Sequence, residues 1–203
     1  MTMPVDLSSR THWIFDMDGT LTVAAHDFPA IRNALGINDT GGIIEAIDSL
    51  PEKEAEQKHR QLSEIEIDYA VHSKVQPGAE ELLALLSERE IKLGILTRNS
   101  VENAIITLKE CNLEHFFSNQ DILGRDSAAP KPSPDGINML LRNWDVDPSS
   151  AVMVGDYKYD LEAGRSAETA TIYVDVNEEN FWSDLADLHV SHLDQIIDSL
   201  NNS

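Results

Sequence analysis

Two carboxylates, Asp16 and Asp18, stand one residue apart directly after the bulky run Trp13, Ile14 and Phe15 and directly before Gly19. Acids this close repel each other unless a cation or a proton intervenes. A donor set made only of oxygen suits a hard ion, with Mg²⁺ the first candidate. A plain Asp-Gly turn after a strand is the alternative that these residues alone leave open. Three more polar clusters follow later in the chain. They are Thr97, Arg98 and Asn99 after an apolar run, Lys131 between Pro130 and Pro132, and Asp156 with Asp160 after Gly155. Singly, each has an ordinary explanation: a turn threonine, a solvated lysine, an acid capping a helix. Their order and chemistry together are far more specific.

The elements that must position these residues can be read from periodicity. Trp13 to Phe15 reads as a short buried strand running into the first acid pair. Phe28 to Leu35 reads as a helix with Pro29 in its first turn and Gly36 at its end. Gly42 to Leu50 suggests a second helix. A long charged stretch from Pro51 to about Val71 suggests a third, with Leu62, Ile65, Tyr69 and His72 along one face. From Pro77 onward strands and helices alternate. The predicted strands are Ile91 to Leu96, a weaker Asp121 to Gly124, Ala151 to Val154, and Thr171 to Asp175. Helices are expected over Glu80 to Glu90, Val101 to Glu110 behind the N-cap Ser100, Gly136 to Asn143, and from Asp160 to about Ala167. A tail with Leu185, Leu188 and Val190 and a short helix from Leu193 to Leu200 closes the chain. The pattern predicts an α/β fold with a doubly wound, mostly parallel sheet. A small all-helical cap over 22–75 would be inserted after the first strand, with 1–21 and 76–203 forming the core. In such sheets ligands bind beyond the carboxyl ends of the strands. All four polar clusters fall there, or in loops entering a helix.

Composition bounds the partners. A formal net charge of −21 over 203 residues argues against a broad basic surface for nucleic acid or anionic membrane. An anionic substrate would have to be drawn in by local cations. The lone Cys111 cannot form an intramolecular disulfide, which fits a reducing compartment. The first ten residues hold no apolar run of signal-peptide type and no stretch approaches membrane-span length, so a cytoplasmic location is expected.

The ordered set Asp16-Met17-Asp18-Gly19-Thr20, Thr97, Lys131 and Gly155-Asp156-x-x-x-Asp160 resembles the four motifs of the haloacid dehalogenase-like hydrolase superfamily. The helical insert resembles the cap of its phosphoglycolate phosphatase-like members. The likeness implies a Rossmann-like core and a Mg²⁺-dependent phosphatase acting on a small organic phosphate ester. It makes Asp16 the nucleophile that becomes an aspartyl-phosphate, and Asp18 the acid that protonates the leaving alcohol and later deprotonates water. Lys131 offsets charge, and Thr97 bonds a phosphoryl oxygen. Metal binding falls to Asp16, Asp156 and the Asp18 backbone carbonyl, with Asp160 in support. Arg98, Asn99 and His26 are the remaining candidates for substrate contact. Asp27 could instead be an N-cap beside a solvated His26, and Arg98 could pair with an insert carboxylate. The sequence departs from the subgroup in its short insert and in Glu168, which stands where a glycine is frequent. A phosphomutase of the same superfamily is the alternative enzyme. A phospho-accepting signalling module or a silent binding protein is the alternative from another class.

Overall fold

Strand β1 (His12–Phe15) has Trp13, Ile14 and Phe15 wholly buried, which is why this run is apolar on both faces. The structure is a computed structural model and describes residues 6–25, 27–38 and 42–202. Around β1 lie β2 (Lys92–Leu96), β3 (Ile122–Leu123), β4 (Ala151–Gly155), β5 (Ala170–Val174) and β6 (Leu188–Val190). They form one parallel sheet in the order β3-β2-β1-β4-β5-β6. The direction of winding reverses between β1 and β4, and that reversal opens a crevice at the carboxyl edge.

Register then decides which residues meet there. Phe15 pairs with Ile95 on one side and Val154 on the other. Asp16 therefore stands level with Leu96 and Gly155, and Thr97 and Asp156 lie one step beyond. Pleating sends Trp13 and Phe15 to one face and Ile14 to the other. The first face is covered by α4 (Ala79–Glu88), α5 (Val101–Glu110) and α8 (Asp194–Asn201), through Leu82, Leu83, Leu86, Ala104, Leu108, Ile196 and Leu200. The second face is covered by α6 (Asp135–Trp144) and α7 (Lys158–Ser166), with Ile137, Leu140, Leu141 and Ala163 packed on Ile14 and Met153.

Between β1 and α4 run three helices: α1 (Phe28–Leu35), α2 (Ile43–Asp48) and α3 (Glu52–Val71). Asp27 caps α1 by accepting from the Ala30 N–H, and Gly36 ends it in the left-handed region. Ile31, Leu35, Ile47 and Leu62 form a separate apolar cluster among these helices. The two ends of this helical segment lie side by side: Val23 N–H donates to Lys74 C=O at 2.9 Å, and Gln76 N–H to Leu21 C=O at 2.9 Å. No described helix is long and apolar enough to cross a membrane.

Two expectations need correction. His72 is not on the packed face of α3 but is its exposed C-cap, and the buried position is taken by Glu66 instead. The tail residues Leu188 and Val190 belong to a sixth strand, parallel to β5. Over its three residues only Val190 is buried and His189 is exposed, so no apolar run announced it.

The end of α7 explains the unusual Glu168. Its N–H donates to Arg165 C=O, and Thr169 N–H donates to Gly164 C=O, the paired bonds of a Schellman ending. Glu168 occupies the left-handed position with φ 62°, where a Cβ is unfavourable and glycine is the natural residue. Glu168→Gly is expected to stabilise the protein by about 1 kcal/mol, the relief of that conformation outweighing the added freedom of the unfolded chain. Thermal denaturation should show a rise of about 2–4 °C for a chain of this size. A lower melting temperature would contradict it.

Candidate active site

Asp16 continues the β1–β4 ladder for one residue, its N–H donating to Val154 C=O at 2.9 Å, so its backbone is as rigid as the sheet. The chain then folds tightly on itself. Met17 C=O accepts from the Leu21 and Thr22 N–H groups, both at 2.9 Å, and Gly19 N–H donates to Thr22 C=O at 2.8 Å. Gly19 has φ 89° and lies against Asp156, and a Cβ there would run into the Asp156 carboxylate. Position 19 therefore needs glycine for two reasons, backbone angle and space for the neighbouring acid.

Lys131, buried in the loop before α6, joins two motifs at once. Its Nζ lies 2.5 Å from Asp16 Oδ1 and 2.6 Å from Asp160 Oδ1. The other oxygen of Asp160 accepts from Tyr157 N–H at 3.0 Å, which fixes the first turn of α7. Thr20 Oγ1 lies 3.4 Å from Asp156 Oδ1. Carboxylate oxygens of Asp16, Asp156 and Asp160 all come within 4.8 Å of one another. Such a set, made of hard oxygen donors, fits a small divalent cation. The Asp18 carboxylate is close enough to add to the repulsion on Asp16, and its Oδ2 accepts from Asn99 Nδ2 at 2.6 Å. Thr97 is buried at the end of β2, and its Oγ1 accepts from Asn99 N–H at 3.1 Å.

So the candidates Asp16, Asp156, Asp160 and Lys131 converge at the crevice, and Asp18, Thr97 and Asn99 form a second hydrogen-bonded group beside Asp16 in the chain. Asn99, expected only as a possible substrate contact, is bonded to Asp18. Arg98 is exposed at the rim, with Nη2 3.9 Å from Glu45 of α2 and its guanidinium over the Tyr159 ring. His26 lies outside the described residues. Sequence reasoning placed Thr20 in the first motif without a role, and it missed a group formed by Glu66, Asn103 and Arg125. The one available signal was a charged residue, Glu66, four places after Leu62 on the apolar face of α3.

Residues 25–174 match the haloacid dehalogenase-like hydrolase family. The chain belongs to that family. It is 31% identical over 199 residues to an uncharacterized hydrolase of Saccharomyces cerevisiae, covering 93% of this chain and 90% of that one. It is also 30% identical over 213 residues to N-acetylmuramic acid 6-phosphate phosphatase of Pseudomonas putida, covering 92% of this chain and 95% of the relative. Among solved structures, CbbY of Rhodobacter sphaeroides in complex with phosphate shares the fold. Its TM-score is 0.75 at 23% identity, over 95% of this chain and 99% of that one.

In this hydrolase the crevice holds more negative charge than one lysine can balance. Burial pushes the Asp156 carboxyl up to about 8, and repulsion from Asp16 and Asp160 adds to it. Burial pushes Asp160 up to about 6 against the pull of Lys131, and raises Asp16 as well. Burial alone would lower the Lys131 ammonium, but Asp16 and Asp160 outweigh it and hold it above its ordinary value. Between 3.8 and about 8 the folded form thus binds more protons at Asp156 than the unfolded chain does. Stability must fall as pH rises through that window when no cation is present. In chelator, the melting temperature of the hydrolase is expected to drop by several degrees from pH 5 to pH 8. A saturating divalent cation, which favours the ionised acids, should flatten that slope. A slope unaffected by the cation would remove these acids as its binding site.

Proposed function

We propose that this hydrolase is a Mg²⁺-dependent phosphomonoesterase for a small organic phosphate, working through an aspartyl-phosphate on Asp16. The observation that carries the reading is the division of labour between the two acids of the first motif. Asp16 is rigid, buried and joined to the Lys131 ammonium at 2.5 Å, whereas the Asp18 carboxylate accepts from the Asn99 side chain. A nucleophile gains from rigid placement beside charge compensation, and a proton carrier gains from a hydrogen bond that orients it.

In this reading the Asp16 carboxylate attacks phosphorus, the ester bond breaks, and Asp18 gives its proton to the departing alkoxide. Water then attacks the same phosphorus, Asp18 takes its proton, and inorganic phosphate leaves with Asp16 restored. Thr97 donates to a phosphoryl oxygen, and Lys131 offsets the charge shared by Asp16 and the phosphoryl group. Asp16, Asp156 and the Asp18 backbone carbonyl would hold Mg²⁺, which when bound supplies further charge neutralisation at the phosphoryl oxygens. Asp160 supports the site, since its oxygens are already engaged by Lys131 and Tyr157. The Pseudomonas putida relative, named N-acetylmuramic acid 6-phosphate phosphatase, supports phosphate-ester chemistry. The helices between β1 and α4 act as the cap that selects the leaving group, with Arg98 at their rim through its contact with Glu45.

A phosphate-release screen over a panel of phosphomonoesters, with Mg²⁺ and with chelator, tests activity, metal and substrate class together. Asp16→Asn is expected to abolish turnover and any covalent phosphoenzyme, detected by rapid-quench mass spectrometry on the peptide containing Asp16. Asp18→Asn should lose about 10²–10⁴-fold on an ester with a poor leaving group and much less on an aryl ester. A phosphoryl group mapped to another residue, or an active Asp16→Asn protein, would overturn the mechanism. Arg98→Ala is expected to lower turnover of the preferred ester more than that of a small aryl phosphate. Equal losses would take specificity away from Arg98.

A further inference from the structure

Glu66 is a carboxylate in the middle of α3, buried to 8% exposure at a position where the helix otherwise packs apolar groups. Three donors meet it. Arg125 forks onto both of its oxygens at 2.7 and 2.9 Å, and Asn103 Nδ2 donates at 3.0 Å. Both partners lead back to one short segment. Arg125 N–H donates to Asn99 C=O at 2.9 Å, and the preceding Gly124 is packed so closely on Asn99 and Val101 that a Cβ there would collide with backbone. Asn103 lies in the first turn of α5, where its N–H is capped by Ser100 at 3.2 Å. Glu66 thus grips the Asn99–Asn103 segment at both ends. Asn99 is in turn the donor to Asp18, at 2.6 Å.

We propose that Glu66 and Arg125 are positioning residues for Asp18. A carboxylate on the inserted helix α3 braces the segment that presents Asn99, and Asn99 aims the Asp18 carboxylate. The insert then contributes to proton transfer without any of its side chains touching the reacting atoms. The inference rests on the proposed role of Asp18 as the acid for the leaving group. A bidentate arginine–carboxylate pair suits the task, because its planar fork fixes orientation as well as distance. Neutralising Glu66 weakens both arms at once, and a shift of well under an ångström at Asn99 is enough to misdirect a proton donor.

The test uses the full chain with Mg²⁺ and two substrates, an alkyl phosphate monoester and p-nitrophenyl phosphate, whose leaving group barely needs a proton. For Glu66→Gln and Arg125→Lys, kcat on the alkyl ester is expected to fall about tenfold or more, with kcat on the aryl ester changed less than about threefold. Asn99→Ala should show the same selective loss, and adding Glu66→Gln to it should cause no further selective loss, since one acts through the other. Hydrogen exchange at the amides of Asn99 to Asn103 should quicken in Glu66→Gln, in protein that melts cooperatively. Equal losses on both esters, or an additive double variant, would reduce the pair to a structural ion pair and overturn the proposal. If the wild-type chain released phosphate from no ester, the phosphatase reading would fall and the aim at Asp18 with it. The brace itself would still be judged by exchange, and unchanged exchange would overturn that part too.

Discussion

The ammonium of Lys131, buried between Asp16 and Asp160, is the contact on which the rest of the molecule depends. Three carboxylates gathered at the end of a parallel sheet are electrostatically unfavourable, and withdrawing them from water makes them more so. A buried cation offsets part of this, and losing one partner of such a pair costs about 3–5 kcal/mol because the other charge is left alone. The sheet is what keeps the pair short. Asp16 is anchored by the β1–β4 ladder and Asp160 by the first turn of α7, so neither acid can retreat from the lysine. Register and topology do the gathering: β1 and β4 are neighbours only because the winding reverses between them.

The same constraint explains the backbone around the acids. Space for Asp156 against the first motif exists only because residue 19 has no side chain, and the turn from Met17 to Thr22 closes on a buried carbonyl. The outer group of Asp18, Asn99 and Thr97 is held differently, by hydrogen bonds between side chains and loop backbone. One half of the crevice is thus set by strands and a buried ion pair. The other half is set by a loop, and that loop is reached from Glu66 of α3 through Arg125 and Asn103.

Much of this was legible in the sequence, for physical reasons. Buried parallel strands read as apolar runs, so β1, β2, β4 and β5 and the acids at their ends stood out. Pro29, Gly36 and Ser100 announced their helices, and of the two readings open for Asp27 the N-cap is the one its bond from Ala30 N–H fits. Glu168 stood out as a missing glycine, and its φ of 62° gives the reason. What did not show was whatever depends on tertiary partners. The three residues of β6, with exposed His189 between Leu188 and Val190, are too few to carry a pattern. Nothing in the charged run of α3 separates Glu66 from its solvated neighbours except register, and register cannot reveal Arg125, fifty-nine positions away. Asn99 beside a candidate site invited a substrate role, because its bond to Asp18 is a fact of three dimensions.

The charge balance joins the fold to the proposed chemistry. A protein carrying −21 repels a phosphate ester at long range, and its crevice adds Asp16, Asp18, Asp156 and Asp160 against one lysine. Among the described residues, Lys131 is the cation paired with those acids, and Arg98 is exposed and already near Glu45. Protons could relieve the crowding, as the raised Asp156 and Asp160 indicate, but protonated acids would no longer compensate or attack. A divalent cation relieves the same repulsion while keeping the acids ionised. On the proposed reading, then, a cation requirement follows from the electrostatics of the fold itself. On that reading, the acids whose repulsion a cation would relieve are the same ones that would carry the reaction.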